Sequence, residues 1–153
     1  MAGRRGSAPE VPATPHTSQP VGLLYVGVGP GGPRSKRALL DRFKDHTRRN
    51  TGNSTFRLGL ASFLFAREGW RPVWTDRAML PQADNAALSS WQATHLRVQW
   101  VDVSKPWESE SAVIALMRPP LNRHHNETHP FYGAVGRARH RYRAAARADD
   151  SSG

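Results

Sequence analysis

A short apolar strand that runs into a glycine-rich loop constrains the fold of this chain more than any other stretch. Residues 21–28 are apolar or glycine except at Tyr25, and that composition predicts a β-strand. Residues 27–33 contain four glycines and two prolines, a composition that is compatible only with a loop. We therefore expect a strand that places Tyr25 at the edge of an open loop.

Five helical segments follow the loop and supply most of the apolar surface. The segment that starts at Ser54 is the most apolar, so we expect it to form the buried helix of the core. Ser35 is the expected N-cap of the first helix, and Pro106 is expected in the first turn of the fourth. The predicted helices cover residues 35–49, 54–66, 84 or 85 to 91, 107–117, and 129 or 131 to 147.

Other strand signals are weaker. Residues 96–103 alternate apolar and polar side chains and predict a half-buried strand. Residues 69–82 stay ambiguous, because Trp70 and Val73 favour a short strand whereas Pro72 disfavours it. These elements together predict an α+β fold, with a small and mainly antiparallel sheet flanked by helices and a basic C-terminal helix.

The chain divides into one domain and its flanking segments. Residues 1–20 are rich in Pro, Ala, Ser and Thr, which predicts a flexible leader. Residues 21–123 predict a single domain, and residues 124–148 a basic helical extension. Residues 149–153 form a short acidic tail. We expect the alternate arginines of the extension to form its charged face. These are Arg137, Arg139, Arg141 and Arg143.

The chain is strongly basic, with 22 Lys and Arg against 12 Asp and Glu, a formal charge of +10 and an isoelectric point near 11.3. Such a surplus attracts polyanions, with nucleic acid as the first candidate and an anionic membrane as the second. A basic surface that has no binding function is the remaining alternative. The absence of cysteine excludes disulfides and thiolate sites. Without a signal-peptide core or a membrane-length apolar run, we expect a cytoplasmic protein with no membrane contact and no obligate protein partner.

One motif in the loop resembles the glycine-rich motif of dinucleotide-binding proteins, but we do not interpret it as a nucleotide site. Gly27, Gly29 and Gly32 form a G-x-G-x-x-G between a strand and a helix. Pro30 and Pro33 remove amide donors that a pyrophosphate would need. We therefore expect a loop that lies beside a substrate backbone.

Three histidines, His124, His125 and His129, lie in a polar loop with no common helical face. Two imidazoles on one helical face can share a metal ion, but a loop does not fix that geometry. We expect these rings to be solvated or to face phosphate.

Three polar residues are candidates for chemistry. Arg42 and His46 are four positions apart and therefore share a face of the first predicted helix. Glu110 lies on the apolar side of its helix, one turn before Ile114. A buried carboxylate is costly unless it is paired or binds a metal, so a salt bridge and a metal ligand both stay open for Glu110.

Four ordered segments resemble the motifs of the GIY-YIG nuclease family. Tyr25-Val26-Gly27 resembles the second half of the name motif, and residues 42–46 resemble its R-x-x-x-H helix. Residues 110–114 are similar to the E-x-x-x-I of the metal-binding helix, and residues 119–122 to the closing P-x-L-N. Residues 52–58 and 129–131 also resemble a bacterial subgroup of stand-alone members.

The resemblance implies a metal-dependent endonuclease that hydrolyses DNA at a single-metal site. It gives Tyr25 the role of orienting or deprotonating the water, and Arg42 that of binding a non-bridging phosphate oxygen. His46 would assist proton transfer or position Tyr25. Glu110 would hold one Mg²⁺ or Mn²⁺, and Asn122 would anchor the end of the site or contact phosphate. The residues expected to bind DNA phosphates are Lys36, Arg37, Arg49, Arg137, Arg139, Arg141 and Arg143.

The chain departs from the family at the first motif. Members carry a preceding strand whose tyrosine points into the site, whereas no tyrosine precedes Tyr25 here. Either the true start lies upstream or the leader is short. A catalytically impaired nucleic-acid-binding module of the same fold is therefore the alternative function. A basic structural or partner-binding protein is the third.

Overall fold

The computed structural model describes residue 11, residues 14–15 and residues 22–150. The predicted leader, residues 1–20, lies almost entirely outside the described residues, and so do residues 151–153 of the predicted tail.

All five predicted helices are present. They are α1 Leu39–Thr47, α2 Thr55–Glu68, α3 Gln82–His95, α4 Pro106–Met117 and α5 Tyr132–Asp150. A 3₁₀ turn, Thr51–Asn53, precedes α2. None of the helices in the described part of the chain has the length and apolar content that crossing a bilayer requires.

The start of α1 differs from the prediction. Ala38 occupies the N-cap position, and Ser35 lies before the helix. The Asp41 carboxylate, in the first turn, accepts a hydrogen bond from the Ala38 backbone N–H at 3.0 Å. This acid in the first turn satisfies the N-cap N–H and opposes the positive end of the helix dipole, so α1 begins there.

Helix α2 is the buried centre of the core, as its composition predicts. Ser54 Oγ accepts a hydrogen bond from Arg57 N at 3.1 Å and caps its start. Gly69 ends it in the left-handed conformation, with φ 72°. Helix α5 packs along α2, and the two contribute most of the buried apolar side chains. These are Leu60, Ala61, Phe63 and Leu64 of α2 and Val135, Ala138, Tyr142 and Ala146 of α5.

Two short antiparallel ladders complete the α+β fold. Strand β1, Thr14–Pro15, pairs with β2, Gly22–Leu23, and strand β3, Val73–Trp74, pairs with β4, Ala78–Met79. The fold class is therefore confirmed, and the ambiguous segment around Pro72 contains a hairpin. The β1–β2 pairing also corrects the expectation of a missing neighbour, because a strand does precede Tyr25, although it carries no tyrosine.

Two predicted strands are not formed as expected. Of residues 22–28, only Gly22–Leu23 belongs to a ladder, and residues 24–28 have no regular secondary structure. Residues 96–103 have no regular secondary structure, and Trp100 and Val101 are about three-quarters exposed. Alternation predicts a strand only when a neighbouring strand completes the ladder, and no such neighbour pairs with 96–103 among the described residues.

The side chain of Arg57 joins α1, α2 and α3 in the interior. It is fully buried and donates to Thr47 O at 2.7 Å, to Asn85 O and Oδ1 at 2.9 Å each, and to Gln92 Oε1. Gln92 Nε2 in turn donates to His46 O at 2.8 Å. These bonds fix the C-terminal end of α1, which carries the candidate site residues, against the core.

Candidate active site

Tyr25 lies where the extended segment meets the start of α2. Its ring centroid is 5.2 Å from that of His46 in an edge-on arrangement, and 5.0 Å from that of Phe56. Its hydroxyl is 3.4 Å from Thr55 Oγ1. The ring is half-buried, so the aromatic contacts hold it while its hydroxyl remains near the surface.

Asn122 holds the segment that carries Tyr25. Its Oδ1 accepts from Val26 N at 2.9 Å and its Nδ2 donates to Val26 O at 2.8 Å. The backbone N–H of Leu121 donates to Leu24 O at 3.0 Å. These bonds provide residues 24–26 with the pairing that a neighbouring strand would otherwise supply. Asn122 is buried and its amide is occupied by Val26, so the structure favours the anchoring role over contact with phosphate.

His46 lies one turn after Arg42 on α1 and faces Tyr25. Its Nδ1 is 2.9 Å from Ser54 Oγ, and its buried Nε2 has no hydrogen-bond partner among the described residues. Burial and, to a smaller extent, the nearby Arg42 guanidinium lower the pKa of His46 to about 4, against an opposing effect of Asp45. The imidazole is therefore neutral at pH 7.

This lowered pKa predicts acid sensitivity. The unfolded chain binds the His46 proton near the ordinary value of 6.5, whereas the folded chain binds it near 4. Between those values the unfolded state holds more protons, so the stability present above pH 6.5 should decrease as pH falls toward 4. The substitution His46→Asn keeps a polar atom near Ser54 but cannot titrate. We expect Tm to fall less between pH 7 and pH 4.5 in this variant than in the wild type.

The matched control for this experiment is His95→Asn, because His95 is an exposed histidine on α3. That variant should follow the wild-type dependence of Tm on pH. Parallel curves for His46→Asn and the wild type would contradict the assignment of a neutral, buried imidazole to His46.

Gly27 allows the close approach of the two rings. A Cβ at this position would lie 3.0 Å from Tyr25 Cε1 and 3.3 Å from His46 Nε2. Any larger residue would push one of the rings aside. The glycine of the Y-V-G segment is therefore required by the packing of Tyr25 against His46.

Arg42 contributes a cation that no acid neutralises. It is half-buried, its buried Nε has no hydrogen-bond partner, and it forms no ion pair with a described residue. Its charge acts on His46, which places it near that ring. The structure thus brings together the predicted residues Tyr25, Arg42 and His46.

Two of the cations that are expected to bind DNA form ion pairs with one acid. The buried carboxylate of Asp45 pairs with Arg37 and with Arg49 Nε, the latter at 3.0 Å. Both arginine side chains remain at least half exposed, so their contact with DNA phosphate stays a prediction. Lys36 is exposed and keeps its predicted role as a proposal.

The arginines of α5 do not share one face. Arg137, Arg141 and Arg143 are exposed, but Arg139 is only 8% exposed. Residues two apart on an α-helix point in nearly opposite directions, because each residue turns the helix by about 100°. Arg139 follows the buried Ala138, so it faces inward, and the expectation of a single charged face was wrong.

Glu110 lies on α4, one turn before the buried Ile114, and is half-buried. It forms no hydrogen bond or ion pair with Tyr25, Arg42 or His46, so among residues 22–150 no direct contact joins it to them. No group of three or more His, Asp or Glu side chains that could hold a metal occurs in the described part of the chain.

The first turn of α2 supplies contacts that sequence reasoning did not assign. Thr55 contacts the Tyr25 hydroxyl, Ser54 contacts His46, and Phe56 packs against both rings. One sequence feature pointed to this segment, namely the similarity of residues 52–58 to a bacterial subgroup of the family. That similarity did not assign a role to any side chain.

A family model described as the GIY-YIG catalytic domain matches residues 9–141. The match extends beyond the predicted domain of residues 21–123 at both ends and includes β1 and half of α5. No curated protein and no solved structure matches the chain.

Proposed function

The chain belongs to the GIY-YIG nuclease family, and from that membership we propose that it is an endonuclease that hydrolyses DNA phosphodiester bonds at a single-metal site. The family implies a nuclease acting on nucleic acid, and its members are generally metal-dependent. DNA as the substrate, one metal ion, and Mg²⁺ or Mn²⁺ as its identity are the finer parts of the proposal.

One observation supports this function most strongly. Tyr25, an unpaired Arg42 and a neutral His46 meet at one place, although the three residues come from two separate elements. Phosphodiester hydrolysis requires a positioned water and positive charge at the developing pentacoordinate phosphate. Tyr25 and Arg42, which both lie close to His46, carry the hydroxyl and the guanidinium that would supply these two functions.

The roles of the three residues follow from their surroundings. Arg42 binds a non-bridging oxygen with its planar guanidinium, since no carboxylate competes for it. The hydroxyl of Tyr25 orients the attacking water. His46 has a pKa near 4 and is a weak base, so its packing against Tyr25 supports a positioning role rather than proton transfer.

Glu110 is the residue that would hold the metal. Its carboxylate has no ion-pair partner among residues 22–150. A carboxylate oxygen is a ligand type that Mg²⁺ and Mn²⁺ prefer, so Glu110 would supply the protein ligand of such an ion. When bound, such an ion stabilises charge on the phosphate and lowers the pKa of a coordinated water.

The test is nicking of supercoiled plasmid in Mg²⁺ or Mn²⁺. We expect Glu110→Ala to reduce the nicking rate by about 100-fold or more without lowering Tm, because the metal supplies several kcal/mol of charge stabilisation. Glu108→Ala is the matched control, since Glu108 is exposed on the same helix and pairs with Lys105 at 3.1 Å. Equal nicking by Glu110→Ala and the wild type would overturn the metal assignment.

A second candidate function rests on strand β1. That strand pairs with β2 but carries Thr14 and Pro15 in place of a tyrosine. A nucleic-acid-binding module of this fold would bind DNA with a steep salt dependence and would not cleave it at any metal concentration. The nicking assay with the wild type distinguishes this candidate from the endonuclease.

A further inference from the structure

Three arginines lie close together on and beside α5, and one of them contacts the first turn of α2. Arg123 directly follows Asn122, and Arg139 and Arg143 lie one turn apart on α5. Arg139 Nη2 donates to Thr55 O at 3.0 Å, and Thr55 is the residue that contacts the Tyr25 hydroxyl. We call these three residues the arginine cluster.

No acid in the described part of the chain neutralises the arginine cluster. None of its members takes part in an ion pair with a described residue. Burial, together with the charges of Arg123 and Arg143, lowers the pKa of Arg139 to about 10, against an opposing effect of Tyr25. The buried Nε atoms of Arg123 and Arg139 have no hydrogen-bond partner among the described residues.

A comparison with Arg57 shows that a buried arginine in this fold can have many internal acceptors, whereas Arg139 has few. Both guanidinium groups are buried, but that of Arg57 donates to four oxygen atoms of three residues. Arg139 forms one such bond among the described residues, to Thr55 O. A buried cation is costly when few acceptors surround it and its neighbours carry the same charge.

Two guanidinium groups of the cluster pack beside glycines. A Cβ on Gly59 would make an ordinary van der Waals contact with Arg139 Nη2 at 3.6 Å, and a Cβ on Gly136 would do so with Arg123 Nη2 at 3.7 Å. The Arg123 guanidinium lies 4.2 Å from the Tyr132 ring centroid, which holds it in place by a cation–π contact. The cluster therefore consists of guanidinium groups that are fixed in place and that have N–H donors without an acceptor among the described residues.

We propose that Arg123, Arg139 and Arg143 bind a phosphate group of the nucleic-acid strand, next to the phosphodiester that faces Tyr25. The inference rests on the proposed function, because it extends the same substrate along the strand from the reacting phosphate. The bound phosphate supplies the negative charge and the acceptor oxygens that the cluster lacks internally.

The first experiment measures binding without chemistry. The affinity for a labelled DNA duplex is measured by anisotropy in metal-free buffer for the wild type, Arg123→Gln and Arg139→Met. We expect each variant to bind about tenfold more weakly, and the slope of log affinity against log salt to fall by about 0.9 per lost phosphate contact.

Arg71→Gln is the matched control for charge. Arg71 is exposed beyond the C-terminal end of α2, whereas Thr55 begins that helix, so the two lie about 20 Å apart along its axis. Its loss should change the affinity by no more than about twofold, because a charge beyond the Debye length is screened. Equal weakening by Arg71→Gln would mean that only overall charge matters and would overturn the proposal.

The second experiment separates a binding role from a structural one. Because Arg139 has one internal acceptor and neighbours of the same charge, Arg139→Met should keep or raise Tm in chloride. It should also abolish the rise in Tm that inorganic phosphate gives to the wild type at the same ionic strength. A structural role would lower Tm in chloride. Should Arg139→Met fail to fold, the more exposed Arg123→Gln and Arg143→Gln provide the same comparison.

The outcomes distinguish this proposal from the proposed function. If the protein binds phosphate and DNA through the cluster but never nicks plasmid, the proposed phosphate site is supported and the proposed endonuclease function is contradicted. If the wild type nicks plasmid but Arg123→Gln and Arg139→Met bind DNA and phosphate as the wild type does, the endonuclease function is supported and the proposed phosphate site is overturned.

Discussion

Replacing Tyr25 with phenylalanine should lower kcat for plasmid nicking by about 10²–10⁴-fold, the range typical for loss of a group that handles the proton of the attacking water. The ring contacts with His46 and Phe56 remain, and the hydroxyl loses only its 3.4 Å contact with Thr55. Tm should therefore change little. The measurements are single-turnover nicking at saturating enzyme and a thermal melt of the same preparation.

Tyr142→Phe is the matched control for a lost phenol. The Tyr142 hydroxyl is buried and 2.9 Å from Thr51 Oγ1, and it has no hydrogen bond with Tyr25, Arg42 or His46 among the described residues. Its loss should lower stability by about 1 kcal/mol and leave kcat within a few fold. A Tyr25→Phe variant that nicks at the wild-type rate would contradict the role of Tyr25 in the chemistry and leave Arg42 as the only polar group of the trio facing the phosphate.

Replacing Arg57 with methionine should lower the free energy of unfolding by about 3 kcal/mol. Four oxygen atoms lose this donor. Thr47 O and Asn85 O keep Ser89 Oγ as a donor, at 2.9 and 3.2 Å. Asn85 Oδ1 and Gln92 Oε1 have no other donor among the described residues, and each buried acceptor left unpaired costs about 1–3 kcal/mol. The relief from no longer burying a cation offsets part of that cost. The measurement is urea unfolding at pH 7, where Arg57 is charged because its pKa is lowered by burial only to about 10.

The control for this experiment is Arg67→Met on the same helix. Arg67 is exposed and pairs with the neighbouring Glu68 at 2.7 Å, so its loss should change the free energy of unfolding by less than about 0.5 kcal/mol. A similar loss in both variants would contradict the role of Arg57 in joining the three helices. In folded Arg57→Met protein, nicking should also fall, because α1 carries Arg42 and His46.

The two buried arginines illustrate opposite uses of the same side chain. Arg57 is matched to carbonyl and amide oxygens, so its removal should destabilise the fold. Arg139 is placed beside other cations, so its removal should spare the fold and weaken anion binding. Their sequence contexts do not separate them, since each lies in a helix next to apolar residues.

Much of the secondary structure could be predicted from the sequence because its signals are local. The cap at Ser54, the proline at the start of α4 and the glycine that ends α2 lie within a few residues of the turns that they control. The strands were predicted less well. Whether residues 96–103 form a ladder depends on a neighbour that is distant in sequence, and alternation along one segment contains no information about that neighbour.

The candidate site was predicted in part. The spacing of Arg42 and His46 is a property of one helix, so their common face followed from sequence. The contact of Asn122 with Val26 spans 96 residues and that of Arg139 with Thr55 spans 84, and no local pattern predicts either. The mistaken arginine face of α5 arose because alternate positions were treated as if they shared a side.

The sequence alone determined the positive charge, the positions of the five helices and the order of motifs that resemble a nuclease, because composition and short-range periodicity suffice for these properties. The tertiary structure alone decided which cations are neutralised. Asp45 forms ion pairs with Arg37 and Arg49, whereas Arg42 and Arg139 have no acidic partner among the described residues. Charge pairing depends on which surfaces the fold brings within a few ångströms, and that proximity is set by packing between elements far apart along the chain.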